Sequence, residues 1–520
     1  MGYVSNCIPF TNGTSRVMHR RLLQTLVIAM LGGALVASRV QAQDLSAVER
    51  VGVDDWFRRT SDRTADGQWG IVIGAMNGHV LWSVNPELEL IPASTAKLFT
   101  VGFTRLRAGG GARISTRVIG RGTLDTTSGR WLGGWQLELG GDPTLERPGR
   151  AGPTLRELAR QLRDRGIRTL QGAMTLTSRT GPATSRYPAV WSAEFIGQLY
   201  APPVGPVTLH ENTVSLTFRP GQDVGSPPTL VSAVPAGVER LVRMAATTVG
   251  GTRRRLSLTA DADGGWTLSG TIGLYARPAG LSAVAHEPTS VLAYAWAAAL
   301  NRAGIDWVDR TSPAPAVPGL PTVLAKVESE PLDSVALEIN RRSLNIGAEL
   351  ILQWAAASQT AGPGLVTDHV RDVVGPRAQI RMVDGSGLSE LDRVSPMTQM
   401  LYLARYPQQR GAERFPLLLP ANGVGTLRGL RYGMGRGVVH AKTGTLDQVA
   451  TLAGYLGRPD GVLVISLMYN GRRTHAARAA EWELFRLLGA EGVNLSGALD
   501  THMGGGTNQD EESSDTLVER

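Results

Sequence analysis

Of the 53 basic side chains in these 520 residues only three are lysines, Lys97, Lys326 and Lys442, and the first stands three positions after a serine. Across Pro92 to Thr100 the spacing predicts a helix, continuing to about Leu106, that brings Ser94 and Lys97 onto one face. A serine hydroxyl is a weak nucleophile at neutral pH and needs an adjacent base. Lysine serves once burial or a second cation lowers its pKa, whereas arginine never gives up its proton. A chain that otherwise uses arginine has therefore kept lysine where an amine is needed. A fold around Ser94 has to place this helix where that amine loses its water. With three lysines, such a pair arises by accident in about one chain in five, so it needs support from other residues.

The length implies two or three domains. A hydrophobic share of 42% with 19% charged residues excludes a disordered chain and an integral membrane protein, and 63 glycines and 29 prolines imply many turns and an appreciable β content. Arg16, His19, Arg20 and Arg21 precede an apolar run from Leu22 to Ala37, and Val40-Gln-Ala42 fits a small-residue cleavage site. Residues 1–42 thus read as a secretory signal, an uncleaved anchor being the alternative, with Met18 as an alternative start. The run is short for a membrane span, and no integral membrane span is expected after cleavage. The leader holds four arginines and no acid, hence half of the +8 net charge, and no basic cluster interleaved with aromatics suggests a nucleic-acid partner. The one cysteine, Cys7, lies in the leader, so thiolate catalysis and cysteine-held metals are excluded from the mature chain. The eight histidines show no metal-ligand spacing, and neither metal nor cofactor is expected. A periplasmic or secreted location follows from the leader.

Along the chain, residues 43–69 read as a helix and loop. Two strands then flank an Asn77-Gly78 turn. After the Ser94 helix the pattern turns β from about 113 to 145, with a helix at Thr154–Asp164 and a strand at Leu170–Thr177. Short strands follow through 205–275, then a helix at Pro288–Ala303 and a proline-rich linker at 312–321. Beyond it come strand Thr322–Val327, helices Leu332–Asn340, Ile346–Ala357 and Pro396–Tyr406, strands Val438–Thr443, Val449–Leu456 and Gly461–Tyr469, and helix Thr474–Leu488. Together these predict a mixed α/β (α+β) catalytic domain with an antiparallel sheet flanked by helices, interrupted by a large, mostly β insertion.

Two further motifs follow Ser94 in order: Ser343-Leu-Asn345 at a junction between helices and Lys442-Thr-Gly-Thr445 at a strand end. Taken alone, Ser343 reads as an N-cap, Lys442 as a solvated strand end, and Asp384-Gly-Ser-Gly as a tight turn. As an ordered set they match the signature of penicillin-binding proteins and serine β-lactamases. The first two motifs lie about 250 residues apart, a gap that requires an insertion β-lactamases lack. With Gly140-Gly-Asp-Pro-Thr-Leu145, Ala201-Pro-Pro203, Asp384-Gly-Ser-Gly-Leu-Ser389, Ala441-Lys-Thr-Gly-Thr-Leu446 and Leu452-Ala-Gly-Tyr455, residues 68–490 resemble the D-alanyl-D-alanine carboxypeptidase/endopeptidase family, the class C low-molecular-mass penicillin-binding proteins.

The resemblance implies a penicillin-binding, serine β-lactamase-like domain from 43–117 and 316–498, an inserted β-rich domain or nested pair at 118–315, and a disordered tail at 499–520. It implies Ser94 as nucleophile and Lys97 as base. Ser343 would relay the proton to the leaving amine, and Asn345 would bind the substrate amide. Lys442 would keep Lys97 neutral and, with Thr443, Gly444 and Thr445, hold the substrate carboxylate. The N–H groups of Ser94 and Thr445 would form an oxyanion hole. Peptidoglycan stem peptides and β-lactam antibiotics are the implied partners; the oligomeric state is not legible. A β-lactamase or esterase of the same fold, or a non-catalytic wall-binding protein, is the alternative. Three positions depart from the family pattern: Leu344, where relatives often carry Asp or Asn; Thr177, where they often carry an aspartate thought to face the substrate's side-chain amine; and Glu390, where they usually carry Arg.

Overall fold

The computed structural model describes residues 44–150, 152–314 and 319–502; the expected signal segment with Cys7, and the tail beyond 502, lie outside them. At its centre is a five-stranded sheet in the order Val439–Leu446, Val449–Arg458, Gly461–Asn470, Gln68–Ala75, Val80–Val84, antiparallel throughout. Strand side chains alternate faces, and here both faces are covered. Val72, Ala453, Tyr455, Val464 and Met468 enter a core shared with the helix of Lys97. Their neighbours Ile71, Ile73, Leu452, Leu456, Ile465 and Leu467 enter a second core, packed by helices Ala47–Arg63 and Thr474–Leu488. Two-sided burial explains why Val449–Arg458 and Gly461–Asn470 read as almost unbroken apolar runs. Each fully buried Leu, Ile or Val stabilises the fold by roughly 1.5–3 kcal/mol. An exposed ion pair such as Arg58–Asp55 contributes about 0–1 kcal/mol, so apolar burial holds this frame.

On the first face lie helices Lys97–Ala108, Leu332–Arg342, Asn345–Ala356, Gly362–Val374 and Pro396–Arg405. A third core surrounds a six-stranded sheet whose main path runs Asp306–Val308, Thr169–Gln171, Arg130–Leu139, Ser115–Asp125, Thr322–Glu328, with Thr175–Ser178 pairing Arg130–Leu139. Helices Leu155–Asp164 and Pro288–Arg302 pack there, and three- and four-stranded sheets adjoin it. Ser115–Asp125 and Thr322–Glu328 pair antiparallel, so strands far apart in the chain lie side by side in this sheet. Residues 499–502, expected in the tail, complete helix Leu495–His502, whose Leu495, Ala498 and Leu499 enter the first core.

Candidate active site

Ser94 lies not in the α-helix itself but in a 3-10 turn, Ala93–Ala96, that feeds it; the α-helix starts at Lys97. Ala93 has φ +47°, a left-handed conformation that costs a residue with a Cβ roughly 1–2 kcal/mol. A dry hydrogen-bond network holds it. The Thr95 and Thr451 hydroxyls both donate to the Pro92 carbonyl (2.8 and 2.7 Å), Gln399 Nε2 donates to Thr95 Oγ1 (2.9 Å), and Ser466 Oγ donates to Gln399 Oε1 (2.8 Å). The turn leaves Ser94 half-buried while Lys97 is 0% exposed.

Lys97 Nζ reaches Ser94 Oγ at 2.9 Å, Asn345 Oδ1 at 2.6 Å and the Ser386 carbonyl at 2.6 Å. Two of these partners only accept. A neutral amine has two N–H groups and one lone pair. If Asn345 and Ser386 take the two hydrogens, the lone pair faces the Ser94 hydroxyl. Burial lowers the Lys97 pKa to about 8, against the opposing pull of Asp384, Glu349 and Asp392.

Those three acids form the floor of the site. Asp384 Oδ1 accepts from the N–H groups of Ser386 (3.1 Å) and Gly387 (2.6 Å). Its Oδ2 accepts from Ser389 N–H (2.8 Å), Ser386 Oγ (3.3 Å) and Trp191 Nε1 (2.9 Å). The Asp384-Gly-Ser-Gly turn therefore wraps its own carboxylate and aims the Ser386 carbonyl at Lys97. Gly387, at φ +73°, has no room for a side chain: a Cβ would stand 1.9 Å from the Ala93 oxygen. Burial raises Glu349 and Asp392 above the usual carboxylate range, and the neighbouring Asp384 adds to both shifts.

Ser343 is not an N-cap. It ends helix Leu332–Arg342 in a left-handed conformation (φ 58°, ψ 43°), and its Oγ accepts from Lys442 Nζ at 2.9 Å. Lys442, also 0% exposed, gives a second bond to the Thr443 carbonyl (2.7 Å). Its pKa falls well below the usual lysine value, first through burial and then through the charges of Lys97 and Arg478. Burial thus lowers both amines; the acids oppose the shift at Lys97, while Lys97 and Arg478 add to it at Lys442. Asn345 is bound at both ends, its Nδ2 donating to the Tyr200 carbonyl at 2.9 Å, so in this state it ties Lys97 to the loop of Tyr200.

The third motif runs along the edge strand Val439–Leu446. At Gly444 a Cβ would lie 2.7 Å from the Pro92 carbonyl and 2.9 Å from Ser94 N, so glycine lets the strand run against the serine turn. Thr443 is 8% exposed and Thr445 is open. Arg478, not singled out by any motif, braces this strand. It donates to the Gly444 and Thr451 carbonyls and to Thr445 Oγ1 (2.9 Å), and pairs with the fully buried Glu481. Accepting from Arg478 leaves Thr445 its own hydroxyl hydrogen to donate outward.

Residues between 118 and 315 meet the site directly. Trp191 bonds Asp384, the Val190 carbonyl accepts from Ser389 Oγ (2.9 Å), and Glu211 pairs with Arg342. A small apolar cluster joins Trp191, Ala201 and Val204 to Ile346, Leu350 and Leu388. Leu344 packs against it, which accounts for an apolar residue between Ser343 and Asn345. Thr177 instead sits in strand Thr175–Ser178 opposite Glu138. Nothing in the structure explains the exposed Glu390. Among the described residues no group of three or more His, Cys, Asp or Glu side chains is placed to hold a metal ion, and no helix is long and apolar enough to cross a membrane.

A family model described as the D-Ala-D-Ala carboxypeptidase 3 (S13) family matches residues 58–489. The chain is 25% identical over 448 residues to a D-alanyl-D-alanine carboxypeptidase of Actinomadura sp. (strain R39), covering 79% of each. It is 26% identical over 423 residues to a carboxypeptidase of Mycobacterium tuberculosis, covering 77% of this chain and 76% of that one. Penicillin-binding protein 4 of Haemophilus influenzae has the same fold, with a TM-score of 0.65 at 21% identity over 83% of this chain and 98% of its own. It has also been solved in complex with a novel β-lactam. The penicillin-binding fold expected from the sequence is the one found, and the chain belongs to the D-Ala-D-Ala carboxypeptidase 3 (S13) family of serine peptidases.

Proposed function

We propose that this chain hydrolyses the terminal D-Ala-D-Ala bond of peptidoglycan stem peptides, and the D-Ala-diaminopimelate cross-link, through a Ser94 acyl-enzyme. The observation that carries this reading is the dry Lys97 amine, 2.9 Å from Ser94 Oγ with its two other contacts on obligate acceptors. Ser94 gives its proton to Lys97 and attacks the scissile carbonyl. The N–H groups of Ser94 and Thr445 receive the oxyanion. Ser343, bonded to Lys442, relays that proton from Lys97 to the leaving amine, and water then hydrolyses the serine ester.

Lys442, Thr443, Gly444 and Thr445 form the strand that receives the substrate carboxylate, and Asn345 holds both the substrate amide and Lys97. Both bonds in question carry a carboxylate beside the scissile amide, so one clamp serves both reactions. An arriving carboxylate favours charge on Lys442, and a charged Lys442 in turn disfavours charge on Lys97. Substrate binding thereby readies the base. The same serine takes β-lactams, as the fold relative from H. influenzae does. Residues 1–42 export the protein to the periplasm or exterior, and residues 118–315 form an inserted domain that presents the substrate.

Labelled penicillin with the modified residue mapped, alongside D-alanine release from a stem pentapeptide, tests this reading. A long-lived adduct on Ser94 and D-alanine release are expected. Rapid turnover of the penicillin without D-alanine release would make the protein a β-lactamase instead. Absence of both signals would end the proposal.

A further inference from the structure

Glu211 lies 131 residues before Arg342, inside the stretch read as an insertion, yet its carboxylate grips the guanidinium with both oxygens, Nη2 to Oε2 at 2.8 Å and Nη1 to Oε1. Arg342 is the residue immediately before Ser343. We infer that Glu211 is a positioning residue for Ser343, acting through Arg342, and so contributes to catalysis from outside the three motifs. The inference rests on the reading of Ser343 as the proton relay.

Glu211 is itself held rigidly. It is the middle of three consecutive residues in left-handed conformation, His210, Glu211 and Asn212, with φ of 49°, 58° and 51°. Such strain persists only where the surroundings over-determine it, and it points to function more often than to accident. Here the surroundings are explicit. Asn212 is fully buried and donates through Nδ2 to the carbonyls of Pro203 (2.9 Å) and Val207 (3.2 Å), while its Oδ1 accepts from Leu209 N–H (3.3 Å). His210 Nδ1 pairs with the Glu146 carbonyl at 2.9 Å. The turn thus presents a carboxylate, 7% exposed, at a fixed place. A planar guanidinium held by both carboxylate oxygens fixes orientation as well as distance. Glu338, one helical turn before Arg342, approaches the same guanidinium at 3.6 Å and is itself paired with Arg150 (3.0 Å).

What needs fixing is the next residue. Ser343 is left-handed at φ 58°, a conformation usually left to glycine or asparagine at a helix end. It must keep Oγ on Lys442, its one side-chain hydrogen bond among the described residues. On its far side Asn345 is pinned between Lys97 and the Tyr200 carbonyl. With Arg342 clamped on the near side, the serine hangs between two anchored residues. A proton relay depends on such placement, since a misplacement of about 1 Å costs up to ~100-fold in rate.

The test compares the full-length enzyme with Glu211→Gln, Ser343→Ala, the double variant, and Glu330→Gln. The last breaks the ion pair with Arg147 (2.8 Å), which lies outside the three motifs. D-alanine release is read as kcat and KM, with thermal unfolding alongside. Glu211→Gln is expected to lower kcat about tenfold with KM within about twofold, the pattern of an interaction used only in the transition state. In the Ser343→Ala background the same change is expected to cost under about twofold, because its target is gone. Glu330→Gln is expected to lower the melting temperature and leave kcat alone.

If Ser343→Ala keeps wild-type turnover, the relay reading itself falls. If Ser343→Ala is crippled while Glu211→Gln turns over normally, the relay stands and the role of Glu211 is overturned. Equal losses for Glu211→Gln in both backgrounds, or for Glu330→Gln, also overturn it. Should Glu211→Gln not fold, Arg342→Lys keeps the charge but loses the fork, and carries the same expectation.

Discussion

The two serines of this site are held by different kinds of force. Around Ser94 the constraints are neutral and dry: a strained turn tied down by Thr95, Thr451, Gln399 and Ser466, with Gly444 and Gly387 allowing backbone to meet backbone. Around Ser343 they come from afar, the buried Lys442 amine on one side and the charged Glu211–Arg342 pair on the other. Neutral buried hydrogen bonds fix the turn without adding charge to the acids already beside Lys97, which suits the nucleophile proposed there. The Glu211–Arg342 pair reaches across the molecule, which suits the relay proposed at Ser343.

The sharpest way to break this contrast is at Lys97. Lys97→Arg keeps the charge and length but cannot accept a proton, so penicillin acylation and D-alanine release are expected to fall at least ~1000-fold; an active arginine variant would remove Lys97 as the base. Gly444→Ala comes next. Its Cβ meets the Pro92 carbonyl at 2.7 Å and Ser94 N at 2.9 Å, both backbone, so the strand or the serine turn must move. A loss of about 100-fold in acylation rate is expected, together with ~1–3 kcal/mol of stability in urea unfolding.

The pH profile separates the two amines. A base works only when deprotonated, and Lys97 is pushed down to about 8. Acylation is therefore expected to rise about tenfold per pH unit below about 7 and to level off above about 8. A flat profile from pH 6 to 9 would contradict a titrating Lys97. The smallest effect is expected at Gln399→Ala, which strands the buried Ser466 hydroxyl and takes a donor from Thr95. A cost of ~1–3 kcal/mol in chemical denaturation, with a reduced acylation rate, would fit; unchanged stability would show that the dry network is dispensable.

How much of this was legible in sequence follows from the range of each interaction. Ser94 and Lys97 are one helical turn apart, so their pairing is written in spacing, and the scarcity of lysine marks Lys442. The central strands are readable as apolar runs, and helix Thr474–Leu488 has the bounds its pattern predicts. Helix Gly362–Val374 is not readable. It opens on Gly362-Pro-Gly364, residues that signal a break, yet its first N–H groups need no helical partner and proline is tolerated there. Strand Leu170–Thr177 is in fact two short strands, Thr169–Gln171 and Thr175–Ser178.

The sequence alone marked the residues proposed for the site: a serine, two amines, a second serine and an amide, in an order and spacing that match one family of folds. Only the tertiary structure decided what surrounds them. That Trp191 reaches Asp384, that the Ser386 carbonyl meets Lys97, that Arg478 braces the edge strand, and that Glu211 reaches Arg342 are contacts between residues far apart in the chain. The same is true of the lowered pKa of each amine. A pKa is set by burial and by charges gathered from every side, and no stretch of sequence contains all of them.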